Sequence, residues 1–439
     1  MTFEMAAVTA IFLATYFVIA TELLDKTAAA MLGVGLVLAL RLSPYDALLA
    51  KVDLNVVFLL VGMMIVVNIM SHTGLFEWGA VTIARGAKGN GLAIVLLLLF
   101  VTMFLSAFLD NVTTIILIAP ITILVTQILD MPPVPVLALE AICSNVGGAA
   151  TMIGDPPNIL IGSRAGLSFN SFIINLGPVV LIVALVFLVV IAVMFRKSAN
   201  VSDNAKRRLA ATKPEKAIVE PLMLRRSLLV FAIILAGFFF SYVIHMEPGI
   251  VALCGAFLMA SVCRIELHEV VEKVEWNTIL FFVGLFMLIG ALEHNGLFQW
   301  LGGMMLSATN GHLAVTALAI LWCSAIMSAI VDNIPLVMAM IPLIKSVVPV
   351  FAAKMGLDGS PEAVMAVIEA PLFWALALGA CLGGNGTLIG ASANVVVSQI
   401  ANRNKFKMTF WQFTRYGFPL MVLSLVISSA YLYLRYFRV

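Results

Sequence analysis

Charge is what this sequence has least of. Only 11% of its 439 residues are Asp, Glu, Lys or Arg, while 62% are hydrophobic and the mean hydropathy is +1.11. A soluble chain of this length needs far more charge to cover its surface, so a water-soluble globule is excluded. Period-2 alternation is also missing, which excludes a membrane barrel. The five cysteines, at 143, 254, 263, 323 and 381, show no C-x-x-C or other metal-ligand spacing and read as small core residues. No nucleotide-binding motif occurs, so any use of ATP needs a separate cytoplasmic ATPase subunit. No Lys or Arg precedes the apolar run in MTFEMAAVTAIFLATYF, so the basic region of a cleavable leader is lacking and the first span is expected to stay. A formal net charge of +2 offers no basic surface for nucleic acid. No cofactor or metal is expected.

What is present is a series of apolar runs approaching the roughly 20 residues that cross a bilayer. Segments such as 91–109 and 172–195 are apolar all round, so the lipid bilayer is the solvent and a helical bundle the expected class. The series is written twice. At an offset of 222, KVDLNVVFLLVG from Lys51 is matched by KVEWNTILFFVG from Lys273, and His72–Trp78 by His294–Trp300. Ser106–Asn111 (SAFLDN) is matched by Ser328–Asn333 (SAIVDN), and Pro120 by Pro342. After about 14 extra residues, Gly147–Gly154 (GGAATMIG) meets Gly383–Gly390 (GGNGTLIG), with Asn158 opposite Asn394. Four matches in order indicate a duplication.

Repeat 1 (1–195) is therefore read as three scaffold spans within 6–71, a linker helix 75–88, a hairpin 91–129, a broken helix 136–166 and a last helix 172–195. Repeat 2 (227–439) has scaffold spans within 227–293, linker 297–310, hairpin 313–351, broken helix 365–402 and last helix 410–434. Between them lies a basic loop, 196–226, expected in the cytoplasm. Five crossings per half invert the second copy and place both termini outside. This orientation puts 18 of the 25 Lys and Arg inside and 7 outside. Seven crossings per half would pass the same test. The hairpin is favoured because an Asp-Asn pair with one or two turn residues suits a tip buried in protein better than a water-exposed loop.

The chemistry concentrates at the tips and the breaks. Asp110 and Asp332 are ionisable groups at membrane depth, where function is the default expectation, and each also suits the N-cap of the helix that follows. Gly147, Gly148 and Gly154, with two prolines, break the helix in GGAATMIGDPPN, as Gly383, Gly384 and Gly390 do in GGNGTLIGASAN. Asp155 is expected to cap a new half-helix, the freed carbonyls to ligate a cation, and the new N-terminus to offer amides to an oxygen-bearing solute. Ala391 stands opposite Asp155, so the half-sites are unequal. Asn145 and Ser144 precede the break. Glu140, two turns earlier, could relay protons, and Glu369 lies nearer a helix end. Cys143 and Cys381 lie close to the motifs, but Gly379 and Asn145 occupy the matching positions, so the two thiols are not a designed pair. His72 and His294 mark helix ends.

At these residues the chain resembles the ion transporter superfamily, particularly its ArsB/NhaD-type permeases and the P-protein-like branch, which carry GGAATxIGDPPN after an SAFLDNV-type tip. The resemblance covers nearly the whole chain. It implies an all-α elevator fold: two inverted repeats of five transmembrane helices plus one re-entrant hairpin each, with a moving transport domain in a fixed scaffold, in the cell inner membrane. It also implies substrate binding by Asn111, Thr113, Asn158, Asn333, Thr387 and Asn394, with ion or proton coupling at Asp110, Asp155 and Asp332; their positions at the breaks add Asn145, Thr151 and Asn385 to the binding candidates and Glu140 to the coupling candidates. Pro335 stands opposite Thr113, so the second tip lacks that hydroxyl. Branch members serve arsenite or antimonite efflux, sodium/proton exchange or organic anion transport. Neither motif holds Lys or Arg, which a buried polycarboxylate would need unless sodium bound with it. Trihydroxy-arsenic is neutral and suits amides and hydroxyls, so arsenite or antimonite efflux against protons is the expected activity, with sodium/proton antiport or sodium-coupled organic anion transport as alternatives. Two membrane aspartates also suit an intramembrane protease, but the duplicated context argues for a carrier and against an enzyme. No ring of pore-lining groups suggests a channel. A homodimer is compatible with the scaffold spans.

Overall fold

A computed structural model describes residues 2–21, 23–86, 90–196, 217–241 and 243–438. Most of the basic loop, 197–216, and the end of the first linker helix, 87–88, lie outside the described residues. The described chain is helical throughout. The first half runs α1 (Phe3–Ala20), α2 (Lys26–Ala39), a short α3 (Tyr45–Leu49), α4 (Leu54–Ser71), α5 (Leu75–Gly86), α6 (Gly91–Ser106), α7 (Asn111–Ile128), α8 (Pro133–Gly148), α9 (Pro156–Ala165), α10 (Phe169–Asn175) and α11 (Gly177–Phe195). The second runs α12 (Pro221–Phe240), α13 (Pro248–Cys263), α14 (Leu267–Glu272), α15 (Trp276–His294), α16 (Leu297–Ala308), α17 (Leu313–Ile330), α18 (Asn333–Met355) and α19 (Pro361–Val364). A π-helical turn (Met365–Glu369) then leads into α20 (Ala370–Gly383), followed by α21 (Ser392–Arg403) and α22 (Phe410–Leu432).

Among the described residues, nine helical segments are long and apolar enough to cross a membrane. They include three of the four hairpin arms, α7, α17 and α18, so length alone does not separate an arm from a span. Helix starts follow local chemistry. Asp25, Asp53, Asp110 and Asp332 each cap the helix that follows through side-chain oxygen to backbone amide bonds. Thr409 and Gln412 close a capping box at the start of α22.

The two halves pack in matching pairs. Helix α4 lies along α13 of the other half, and α15 lies along α2. Equivalent glycines allow both approaches, because Gly62 faces the backbone of Ala252 and Gly284 that of Ala30. Small residues of this kind let membrane helices close on each other where no hydrophobic force drives them together. The pairs are also tied by hydrogen bonds, Thr27 Oγ1 to the Asn277 carbonyl (2.8 Å) and Gly249 N to Asn55 Oδ1 (2.7 Å). A second set of elements forms the core. In it α6 packs on α8 and α17 on α20, while α9 packs on α18 and α21 on α7, across the halves. The core and the first set meet at a polar rim. There the Asp53 carboxylate takes Ser163 Oγ (2.8 Å) and Arg164 Nε (3.4 Å), while Lys51 pairs with Glu293 (2.8 Å). Arg164 also reaches the Lys51 carbonyl and stacks over Phe286.

Candidate functional site

The two breaks fold by the same rule. In the first, Gly148 and Gly154 approach so closely that a Cβ on Gly154 would lie 2.7 Å from the Gly148 carbonyl oxygen. In the second, a Cβ on Gly390 would lie 2.6 Å from the Gly384 oxygen. Any side chain would push the loop open, so glycine is required at both closures. Each loop is then stitched by its own asparagine. Asn158 Nδ2 donates to the carbonyls of Thr151 (2.9 Å), Gly148 (3.3 Å) and Ala149 (3.3 Å), and Asn394 Nδ2 to those of Gly384 (2.8 Å) and Thr387 (2.9 Å). Each loop docks on its own hairpin tip through its threonine, Thr151 on the Ala107 carbonyl and Thr387 on that of Ala329. The carbonyls expected to be free for a cation are thus partly taken by asparagine amides, because the broken turn has to satisfy them in a dry interior.

The halves meet in a network of side chains, none more than 3% exposed. Asp155 lies at its centre. It stands at the N-cap position of α9 but makes no side-chain cap bond. Its Oδ1 accepts from Asn111 Nδ2 (3.2 Å) of the first tip, and both of its oxygens lie 3.5 Å from Asn333 Nδ2 of the second. The expected capping role is therefore corrected: the carboxylate turns away from its own helix toward one asparagine from each hairpin. Asn111 also donates to Asn145 Oδ1 (3.0 Å), and Asn145 Nδ2 donates to Asn385 Oδ1 (2.9 Å) and Asn394 Oδ1 (3.0 Å). Cys381 donates to Asn158 Oδ1 (3.6 Å). Asn385 Nδ2 is buried without a partner.

The other candidates stand around this network. Asp110 caps α7 at Thr113 N (2.9 Å), and the Thr113 hydroxyl donates to the same carboxylate, so Thr113 is spent within its own tip. Asp332 takes Ile334 N (3.3 Å) and Ser392 Oγ (3.1 Å). Glu140 is not part of the network and binds Thr122 and Thr102 inside the first hairpin. His72 and His294 end α4 and α15. Among the described residues no Lys or Arg bonds to a network member.

Cys381, which sequence alone reads as a bystander, is a network member beside the expected Asn145. They occupy matching positions at an offset of 236, and each donates to the break asparagine of the opposite half. The repeat itself carried that signal, as a thiol standing where its twin is an amide.

Two cavities flank α9. One of about 360 Å³ lies against α4 and α13, and one of about 200 Å³ runs between α9, α18 and α15 to Lys51, Arg164, Glu293 and Lys345. Network residues line neither.

Comparison with known proteins agrees with a transporter. The sequence profile of the citrate transporter family, CitMHS, matches residues 16–369. An uncharacterized transporter of Mycobacterium tuberculosis is 41% identical over 97% of both chains, and the 46 kDa membrane protein of Mycobacterium leprae is 37% identical over 97% of both. The P protein of Homo sapiens is 33% identical over 98% of this chain, which spans 60% of that longer protein. The YdaH transporter of Alcanivorax borkumensis shares the fold, with a TM-score of 0.59 at 16% identity over 88% of this chain and 87% of that one.

Proposed function

This chain belongs to the CitMHS citrate transporter family as a multi-pass secondary transporter of the membrane, and from that premise we propose that it exports trivalent arsenic or antimony hydroxide in exchange for protons. One observation carries the reading. The buried network offers amides, a thiol and a single carboxylate, and no cation among the described residues. A trivalent carboxylate such as citrate would have its charges buried there against Asp155, at a cost of several kcal/mol per uncompensated ion. A neutral trihydroxy solute instead presents donors to Asp155 and acceptors to Asn385 Nδ2, and needs no counter-charge.

The motion we propose is an elevator. Hairpins, breaks and last helices form one internally bonded core, and this core slides against a scaffold built from the first three spans of each half, α1, α2 and α4 with α12, α13 and α15. The matched cross-half pairs support two inverted repeats, each with five crossings and a re-entrant hairpin. Within that reading 1–195 and 227–439 are the repeats, the 196–226 loop is cytoplasmic, both termini are outside, and Asn111, Asn145, Asn158, Asn333, Asn385 and Asn394 surround the substrate with Asp155. A cytoplasmic ATPase subunit and a homodimer are further arrangements this reading admits.

A second reading, sodium/proton exchange, is favoured by Asp155 Oδ1 and Asn145 Oδ1, which converge on the same Asn111 amide and are oxygen donors of the kind a hard cation takes. One experiment separates the two. Purified full-length protein in inverted sealed vesicles, given a proton gradient and no sodium, is expected to accumulate radiolabelled arsenite. No accumulation, with sodium-driven proton movement in the same vesicles, would replace the metalloid reading by the exchanger.

A further inference from the structure

Few buried polar atoms among the described residues lack a partner, and one of them belongs to an acid. Glu140 on α8 is 0% exposed. Its Oε1 accepts from Thr122 Oγ1 (2.7 Å) and Thr102 Oγ1 (3.3 Å), while Oε2 has no partner. An ionised carboxylate has about four lone-pair sites to satisfy, and an unpaired one in this interior costs several kcal/mol. A neutral carboxylic acid costs less there, keeping the two hydroxyls on Oε1 and leaving one unpaired O–H on Oε2 in place of an unpaired charge.

No countercharge is supplied by the helices packed on α8. Helices α6, α7, α11 and α20 contain no charged residue, and the charged residues within α21 and α22 are Arg403 and Arg415, neither of which bonds to Glu140. On α8 itself the neighbouring titratable group is the buried thiol of Cys143.

Between the acid and the network the α6–α8 interface forms a ladder of two hydroxyl rungs, which no hydrogen bond among the described residues links to each other. One turn beyond Thr102 and Glu140, about 6 Å along the two helices, Ser106 Oγ and Ser144 Oγ lie 3.1 Å apart. Ser144 Oγ donates to the Asn111 carbonyl (3.0 Å), and the Asn111 amide bonds to Asp155. In the second half the matching positions are Ser324, Leu376 and Ala380, so that half has no acid and only part of the ladder. The first hairpin bundle is thus built differently from its twin at one buried titratable group and its hydroxyl partners.

We propose that Glu140 is the proton-carrying group, holding the exchanged proton on Oε2 at a site separate from the substrate network. The proposal rests on the proton-coupled reading above. Its step is one proton passing from the Glu140 carboxylic acid to water when the core faces one side, which leaves a carboxylate, and one proton passing from water back to that carboxylate when the core faces the other. Because the two sites are distinct, substrate and proton compete through the position of the first hairpin, not by direct displacement at Asp155.

The test is infrared difference spectroscopy on the purified full-length protein in lipid, with the pH as its only variable and no substrate present. Wild type is expected to show the carbonyl stretch of a buried neutral carboxylic acid, which disappears reversibly as the pH is raised with the fold intact. That band should be lost in Glu140→Gln, kept in Asp155→Asn, and shifted in Thr122→Val, which removes one hydroxyl from Oε1. A band that survives Glu140→Gln, is absent from wild type, or never responds to pH would overturn the proposal, the last result leaving a fixed structural acid. In arsenite vesicles, Glu140→Gln should lower gradient-driven accumulation at least about tenfold, a typical coupling factor. Failure of wild type to move arsenite would sink the metalloid reading alone, since the infrared arm needs no substrate.

Discussion

Asp155 and Asp110 can be separated by the same conservative change. Asp155→Asn places an amide donor between the amide donors of Asn111 and Asn333, leaving one of them unpaired at a cost of about 1–3 kcal/mol. Coupled transport is expected to vanish, and thermal unfolding in detergent should record the stability loss. Asp110→Asn keeps the cap on α7, because Asn caps as well as Asp, so stability should move by less than about 0.5 kcal/mol. If coupled transport is nevertheless lost in vesicles, Asp110 does more than cap; if transport is unchanged, capping is its whole role. Capping by Asp110 and Asp332 was legible in the sequence, since each precedes an apolar helical run. The turn of Asp155 away from its own helix was not, because its partners Asn111 and Asn333 come from both hairpins and are brought together only by the fold.

Elements were legible to different degrees for a physical reason. The long apolar spans, hairpin arms and glycine breaks announce themselves by hydropathy and by the duplicated motifs. The short helices α3, α10 and α14 have 5, 7 and 6 residues, too few for a periodic pattern, and went unread. The π-helical turn at Met365–Glu369 likewise follows from local packing, not from composition. The breaks permit a sharp prediction. A methyl group added at Gly154 would meet the Ser106 and Gly148 carbonyls, and one at Gly390 those of Gly384 and Ser328. Gly154→Ala and Gly390→Ala should each destabilise by about 1–3 kcal/mol, the cost of overpacking, and both should lower the melting temperature. A Gly303→Ala control, where nothing lies near the added atom, should not. Equal melting temperatures for all three would show that the loops close less tightly than described.

For the whole molecule, duplication was the most informative property of the sequence, and it foreshadowed the matched pairs α4–α13 and α2–α15. It did not reveal the rim, where Arg164 joins the core to Asp53, Lys51 and Phe286. The position opposite Arg164 is Ile400, so this clasp exists once. Removing it by Arg164→Ala should weaken the core–rim contact by about 1 kcal/mol. On the elevator reading proposed above, that is roughly a fivefold change in the balance of core positions. Pulsed electron spin resonance between labels on α4 and α9 would detect the shift, and an unchanged distance distribution would mean the clasp holds nothing in place.

The lone carboxylate of the network has an electrical consequence. Ala391 supplies no second acid, and no cation among the described residues balances Asp155. On the elevator reading proposed above, an ionised Asp155 adds one negative charge to whatever the core carries across the membrane voltage with Asp110 and Asp332. At about 2.3 kcal/mol per charge per 100 mV, a resting potential is strong enough to bias that stroke toward the positive side. Voltage would then act on the returning carrier as well as on its cargo, and turnover in vesicles clamped with potassium and valinomycin should depend on the sign of the imposed potential even when the solute itself is neutral.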